Sequence, residues 1–257
     1  FDQVRFEHEH DTGTGTAKSG AASFIVGYAS MFIIYMAIIL YAVNVLRSVV
    51  QEKTSRVVEL VVSTTKPRAL MLGKILGVGS VGLVQLGTWA ILALVLLHYR
   101  GFILGLFGVS GGGMSVPAMT GVDVLVILLF FLLGYFFYAS IYAAIGAMVN
   151  SDQEGQQAQT PVVILLIIPV LCVQLVANDP RSFASEILTM VPVSAPILMP
   201  MRYILDGVSA SGVALSLAIL AVSTAVVVRI SARIYRVGIL MYGKRPSISE
   251  LWRWLRY

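Results

Sequence analysis

Five long apolar segments divide this chain, and polar or charged residues separate each from the next. The five segments comprise residues 20–46, 75–97, 124–149, 161–177 and 207–228. None of them contains Asp, Glu, Lys, Arg or His. A helix needs about 20 predominantly apolar residues to cross the hydrocarbon core of a bilayer. The pattern therefore predicts an all-α polytopic membrane protein with five transmembrane helices.

The connection between the first two spans, residues 47–74, has the most informative polar pattern. Glu52 and Arg56 lie four residues apart, so a helix would bring them together. A short apolar stripe follows, made of Val57, Val58, Leu60 and Val61. Thr65 offers a hydroxyl cap, and Pro67 suits the first turn of a helix. We predict an amphipathic helix, a break and a new helix that enters the second span. A solvated loop that only sets orientation by its charge is the alternative.

Other local signals mark the remaining helices. Asp123 can cap the third span, and Ser151 followed by Glu154 forms a capping box before the fourth. Pro169 is expected to kink that fourth helix. Between residues 178 and 206, four prolines exclude one continuous helix although the segment is largely apolar. We expect short broken helices in the outer leaflet, where irregular backbone must be covered by protein or line a wet cavity.

Composition and charge support a membrane protein. Charged residues make up 12% of the chain, against about 25% in soluble domains, and the mean hydropathy is +0.86. The net charge of +5 could suit nucleic acid or a membrane surface. Because thirteen of the eighteen Lys and Arg residues lie in residues 47–74 and 229–257, beside apolar spans, the membrane is favoured and no nucleic-acid partner is expected.

The same distribution predicts an orientation. Placing residues 47–74 and the tail 229–257 in the cytoplasm satisfies the positive-inside rule. Arg229, Arg233 and Arg236 share one helical face, so the last helix should continue past the membrane. Residues 1–19 then lie outside, as the end of an extracytoplasmic domain or linker. We expect residues 20–257 to form one transmembrane domain in the inner (plasma) membrane, with a sixth span preceding it in the full chain.

Few residues are candidates for ion coupling, nucleotide binding or catalysis. The spans lack the charged relay that ion-coupled transporters use. Asn44, Gln85 and Gln174 are their conspicuous polar residues, suited to interhelical hydrogen bonds or to contacts along a pathway. Gly238–Arg245 fits GxxxxGK, but Arg245 replaces the Ser or Thr that binds magnesium. We predict no catalytic residue, no metal site and no cofactor in this chain.

Three stretches resemble the type-2 ABC-transporter permeases, especially the sodium-efflux (Nat) branch. They are QEKTSRVVELVVSTTKPRALMLGKILG (Gln51–Gly77), AAIGAMVNSDQEGQQAQTPVVI (Ala143–Ile164) and YRVGILMYGKRPSISELWRW (Tyr235–Trp254). The Pro-rich segment Val191–Arg202 is similar to that family's broken outer segment. The family also has a first span and a large outer domain, which this chain lacks.

The resemblance implies a permease subunit of an ATP-driven exporter that docks on a separate ATPase subunit, which holds ATP and magnesium. It also implies a second permease half, identical or related. The implied docking residues are Glu52, Arg56, Val57, Val58, Glu59, Leu60, Val61, Ser151, Asp152 and Glu154. The substrate is left open among sodium ion, lipid, peptide and drug. A membrane scaffold without its own transport pathway is the competing hypothesis, and copurification of an ATPase that depends on this chain would separate the two.

Overall fold

The computed structural model describes residues 20–55, 64–99, 120–206 and 208–241 of the chain, and these residues are helical almost throughout. The helices are α1 (Gly20–Thr54), α2 (Pro67–His98), α3 (Gly121–Met148), α4 (Asp152–Ala158), α5 (Thr160–Asn178), α6 (Phe183–Met190), α7 (Ala195–Asp206) and α8 (Ala210–Gly238). Five of them, α1, α2, α3, α5 and α8, are long and apolar enough to cross a membrane. The predicted all-α polytopic membrane fold is confirmed.

The first two long helices correct the prediction for their connection. Helix α1 continues without interruption to Thr54, so residues 47–54 extend the first span and are not part of a separate helix. Helix α2 begins at Pro67, as predicted, because proline is already set for the first helical turn. Thr65 is not its cap: Lys66 occupies that position and its side chain makes no capping hydrogen bond. The predicted amphipathic stripe, residues 57–61, lies outside the described residues.

Helix α3 forms the centre of the bundle. Its largest contacts are with α1 and α8, and α7 packs between α1 and α3. Thr120 and Asp123 form a capping box at its start, so Asp123 acts together with a threonine cap. Its buried aromatics are packing residues: the Tyr135 hydroxyl donates to the Ile75 carbonyl at 2.8 Å. This bond fixes α3 against α2 and satisfies a hydroxyl that burial would otherwise leave without a partner.

The segment before the last span is broken, as the prolines predict. Helix α6 ends at Met190, and α7 begins at Ala195 and contains Pro200. Helix α7 packs closely on α3 because Gly134 has no side chain: a Cβ there would meet the ring of Pro196. The Tyr138 hydroxyl donates to the Val193 carbonyl at 2.7 Å and holds the link between α6 and α7. Pro169 lies inside α5, which continues to Asn178.

Candidate functional site at the basic end of the bundle

Several helices terminate together at one end of the bundle. Helix α1 ends there at Thr54 and α2 begins at Pro67, while α3 and α8 end nearby at Met148 and Gly238. We call this the basic end, because lysines and arginines of α1, α2 and α8 gather there. It includes Glu52, Ser151, Asp152 and Glu154 of the predicted docking set, so it is the candidate functional site.

Lys53 joins three of the helices at this end. Its side chain is fully buried, and its Nζ donates to the carbonyl oxygens of Ala147 at 2.6 Å and Gly238 at 2.9 Å. Both acceptors belong to the last turns of α3 and α8, where helix carbonyls have no intrahelical partner. The negative ends of two helix dipoles therefore meet one buried ammonium group. The carboxylate of Glu154 also acts on this ammonium electrostatically.

The neighbouring residue, Glu52, contacts α2. One carboxylate oxygen of Glu52 lies 2.6 Å from the Nζ of Lys74, whose side chain is only 8% exposed. The same ammonium group donates to the Ser48 carbonyl at 3.1 Å. Glu52 therefore ties the end of α1 to the first turns of α2, and its carboxylate already has a partner within the chain.

The turn before α4 supplies the second part of the predicted docking set. The Ser151 hydroxyl accepts from the backbone N–H of Glu154 at 3.2 Å, as the capping box predicts. The Glu154 carboxylate accepts from the N–H of Asn150 at 3.0 Å, one residue earlier than in the standard box. Asp152 lines a cleft of about 240 Å³ together with Arg47 and Gln51 of α1. The structure thus brings Asp152 and Glu154 to the same end as Glu52.

The remaining docking candidates cannot be located. Arg56, Val57, Val58, Glu59, Leu60 and Val61 lie outside the described residues. In the sequence they fall between Ser55, the last described residue after α1, and Thr64, the first described residue before α2. Their assignment to docking stays a prediction.

The three polar residues of the spans do not form one site. Gln174 accepts a hydrogen bond from the Tyr28 hydroxyl at 2.8 Å and donates to Asn178 at 2.9 Å. Asn44 lies sixteen residues after Tyr28 on α1, which corresponds to roughly 24 Å along the helix. Asn44, Gln85 and Gln174 are all exposed on the surface of the single chain. Gln174 makes the interhelical bond that the sequence suggested.

The opposite end of the bundle contains buried charges of its own. Arg202 of α7 is 7% exposed, and its guanidinium donates to the Pro180 carbonyl at 2.7 Å and to the Thr189 hydroxyl at 2.9 Å. The Tyr203 hydroxyl donates to the Asp123 carboxylate at 2.7 Å. These contacts attach the broken helices to the start of α3. Buried charged side chains of the described residues therefore lie at the two ends of the bundle, and the intervening depth is apolar or neutral.

Sequence reasoning missed Lys53 and Lys74 because both were counted only as topogenic charges. A signal for Lys53 was present: it lies on the helical face of Leu46, Val49 and Val50, which are all buried. A lysine that continues an apolar face is expected to turn inward. Lys74 gives a comparable signal, because it lies on the helical face of Met71, Ile75 and Val78, and the first two are fully buried. That pattern does not identify its partner Glu52, which comes from another helix.

Comparison with known proteins gives a family match and similar curated proteins. A family model described as ABC-2 family transporter protein matches residues 8–233. An uncharacterized protein of Methanocaldococcus jannaschii is 27% identical over 237 residues, covering 92% of this chain and 55% of its own length. The uncharacterized protein YhaP of Bacillus subtilis is 28% identical over 235 residues, covering 89% of this chain and 54% of its own length. The chain thus spans about half the length of these curated relatives. No solved structure matches it.

Proposed function

Because the chain belongs to the ABC-2 family of transporter proteins, we propose that it is the permease subunit of an ATP-driven exporter whose basic end docks on a separate ATPase subunit. In this proposal residues 51–63 form the main contact, and Ser151, Asp152 and Glu154 form a second one. ATP and magnesium belong to the ATPase.

The observation that carries the proposal is the linkage of the basic end. Lys53 joins α1 to the ends of α3 and α8, and Glu52 joins α1 to α2 through Lys74. Four of the five long helices are therefore connected by two residues, Glu52 and Lys53, that lie within the segment assigned to docking. A force applied to the end of α1 would reach all four helices through these contacts.

Orientation is a separate element of the proposal. The positive-inside rule places the basic end in the cytoplasm. Cysteine introduced near Pro180 or Gly112 is then expected to react with an impermeant thiol reagent in intact cells, and cysteine added after Tyr257 only in broken cells. Cys172 is replaced by alanine first, so that the introduced thiol is the sole target. Labelling at Gly112 only in broken cells would overturn this orientation.

The docking contact is tested at the apolar stripe. Val58→Asp and Leu60→Asp each place an unpaired charge in the proposed interface, which is costly to bury. The variants are expected to insert normally, since the spans are unchanged, but to lose copurification of the ATPase and substrate-stimulated hydrolysis. Arg56→Ala is the matched control, because a rim charge contributes about 1 kcal/mol or less. Full ATPase association in both Asp variants would mean that the segment is only a topogenic loop.

A second permease half completes the proposed pathway. Large apolar side chains are exposed along α2, among them Val81 at 60% and Val84 at 70%. Lipid and a second copy, or a related permease, would cover such a surface. Crosslinking between differently tagged copies in membranes tests the homodimer.

The substrate class is a separate element of the proposal. The described spans bury no carboxylate at mid-depth, so they offer no charged site for a bare cation there. Sodium export, drawn from the resemblance, therefore needs ligands other than a buried carboxylate of the described spans, whereas lipid, peptide or drug export does not. ATPase stimulation measured in proteoliposomes with sodium and with each other substrate class separates these cases. A complex whose ATPase activity responds to none of them, with intact assembly, would favour the scaffold hypothesis.

A further inference from the structure

A cleft at the basic end is lined almost wholly by arginine. Its volume is about 250 Å³, and the described residues around it are Ala232 and four arginines, Arg68, Arg229, Arg233 and Arg236. The last three occupy one face of the final turns of α8, whereas Arg68 comes from the first turn of α2. Guanidinium groups from two helices far apart in the sequence therefore open onto the same space.

Like charges from two helices approach one another at this cleft. Cations are stabilised near the C-terminus of a helix, which accounts for Arg236, but they are disfavoured near an N-terminus. Arg68 lies in the first turn of α2, which has no acidic residue there and no side-chain cap. Four arginines and the positive end of a helix dipole thus meet at one cleft. A bound anion would interact favourably with both.

The position of the cleft relative to the bilayer indicates where that anion comes from. Ala210 to Val228 is nineteen residues, or about 28 Å of helix, close to the thickness of the hydrocarbon core. Arg229 therefore lies at the edge of the core, and Arg236 lies about 10 Å farther out, across the headgroup layer. Exposed apolar residues, Val222 and Val226, precede Arg229 on the same face of α8. An apolar stripe that ends in arginine suits one molecule with an acyl chain and an anionic head.

We propose that this cleft binds the phosphate of an anionic phospholipid from the leaflet that the basic end faces, with an acyl chain lying along Val222 and Val226. Arginine pairs bidentately with phosphate oxygens, which a point-like ammonium does not. Basic pockets between transmembrane helices are a recognised form of lipid headgroup site. Two other occupants share part of this chemistry. Free phosphate presents the same anion without an acyl chain, and an acidic surface of a partner protein presents carboxylates instead.

The test is lipid retention by the intact permease in native mass spectrometry. Purified protein is offered phosphatidylglycerol or phosphatidylcholine, and wild type is expected to retain the former preferentially. Arg233→Gln should reduce that retention about fivefold, and Arg229→Gln with Arg233→Gln about 25-fold, since each basic residue at the surface contributes roughly fivefold. Arg47→Gln is the matched control, because it removes one exposed arginine of the same end that lines the other cleft; it should change retention less than twofold.

Two further measurements keep the result interpretable. Arg229→Lys with Arg233→Lys preserves the charge and the fold, and is expected to retain less phosphatidylglycerol than wild type but more than the Gln pair. Equal retention of the two lipids by wild type, or an equal loss in Arg47→Gln, would overturn the proposal. Retention of inorganic phosphate that depends on Arg233, without a lipid preference, would identify free phosphate as the ligand. Unchanged lipid retention with loss of the ATPase subunit in the Gln pair would assign the cleft to a protein contact.

Discussion

Replacing Lys53 by methionine isolates the contribution of the bond between α1, α3 and α8. Methionine has a similar length and no charge, so the Lys53→Met variant removes the donors while leaving little empty volume. The carbonyls of Ala147 and Gly238 then lose the ammonium group that now lies 2.6 and 2.9 Å from them. The Gly238 carbonyl keeps the backbone N–H of Met241 at 3.2 Å, whereas the Ala147 carbonyl lies at a helix end, where the helix itself provides no further donor.

The expected cost follows from those two bonds. A hydrogen bond to a charged group contributes about 1.5–3 kcal/mol, and an unsatisfied buried carbonyl costs about 1–3 kcal/mol. Removing the buried ammonium also removes its desolvation penalty, which is several kcal/mol per ion and offsets part of the loss. We therefore expect the variant to lower the free energy of unfolding by about 2–4 kcal/mol, which is less than the simple sum of two charged bonds.

Thermal unfolding of the detergent-solubilised protein measures this loss. A destabilisation of that size corresponds to a fall in Tm of roughly 4–16 °C for a chain of this length. Lys66→Met is the control, because Lys66 is exposed and its side chain makes no capping bond, so its change should stay within about 0.5 kcal/mol. If the Tm values of the two variants lie within one degree of each other, the buried hydrogen bonds of Lys53 contribute nothing to stability and Lys53 is only another topogenic charge.

Further predictions concern packing within the bundle. Gly134→Val should destabilise the protein by about 1–3 kcal/mol, because its side chain would collide with Pro196, whereas Gly77→Val should be tolerated, since no atom lies within 4 Å of a Cβ there. The same thermal assay checks both, and equal losses would contradict the α3–α7 packing. Tyr138→Phe should cost about 0.5–1.5 kcal/mol by removing the bond to the Val193 carbonyl, and an unchanged Tm would mean that water replaces that bond.

Apolar length predicted the five long helices well because membrane insertion depends on the same property. The bounds of α3 and α5 differ from the predicted spans 124–149 and 161–177 by at most three residues at either end. The ends of α1 and α8 extend farther because a helix need not stop where its apolar stretch stops. Residues 47–54 and 229–238 remain helical outside the apolar region, where backbone hydrogen bonds within the helix are still satisfied.

The candidate site was harder to predict because its contacts join distant parts of the chain. The i, i+4 spacing predicts that Glu52 meets Arg56 on one helix. In the structure the Glu52 carboxylate pairs with Lys74 on another helix. Thr65 was a reasonable cap by residue type, yet the helix begins after Lys66 with no side-chain cap. Local spacing reports which residues can meet within one helix. It contains no information on which helix lies opposite.

The cations of the basic end separate into two groups, and the separation constrains how the subunit moves. Lys53 and Lys74 are buried against carbonyls and a carboxylate, whereas the four arginines of the cleft are exposed. Because adjacent residues of α1 hold α2 through Glu52 and α3 with α8 through Lys53, displacing the end of α1 alone would break several charged bonds at once. Motion imposed at the end of α1 is therefore expected to carry these four helices together. In the proposed pairing with a second permease half, the pathway would then open between two such bundles and not within one.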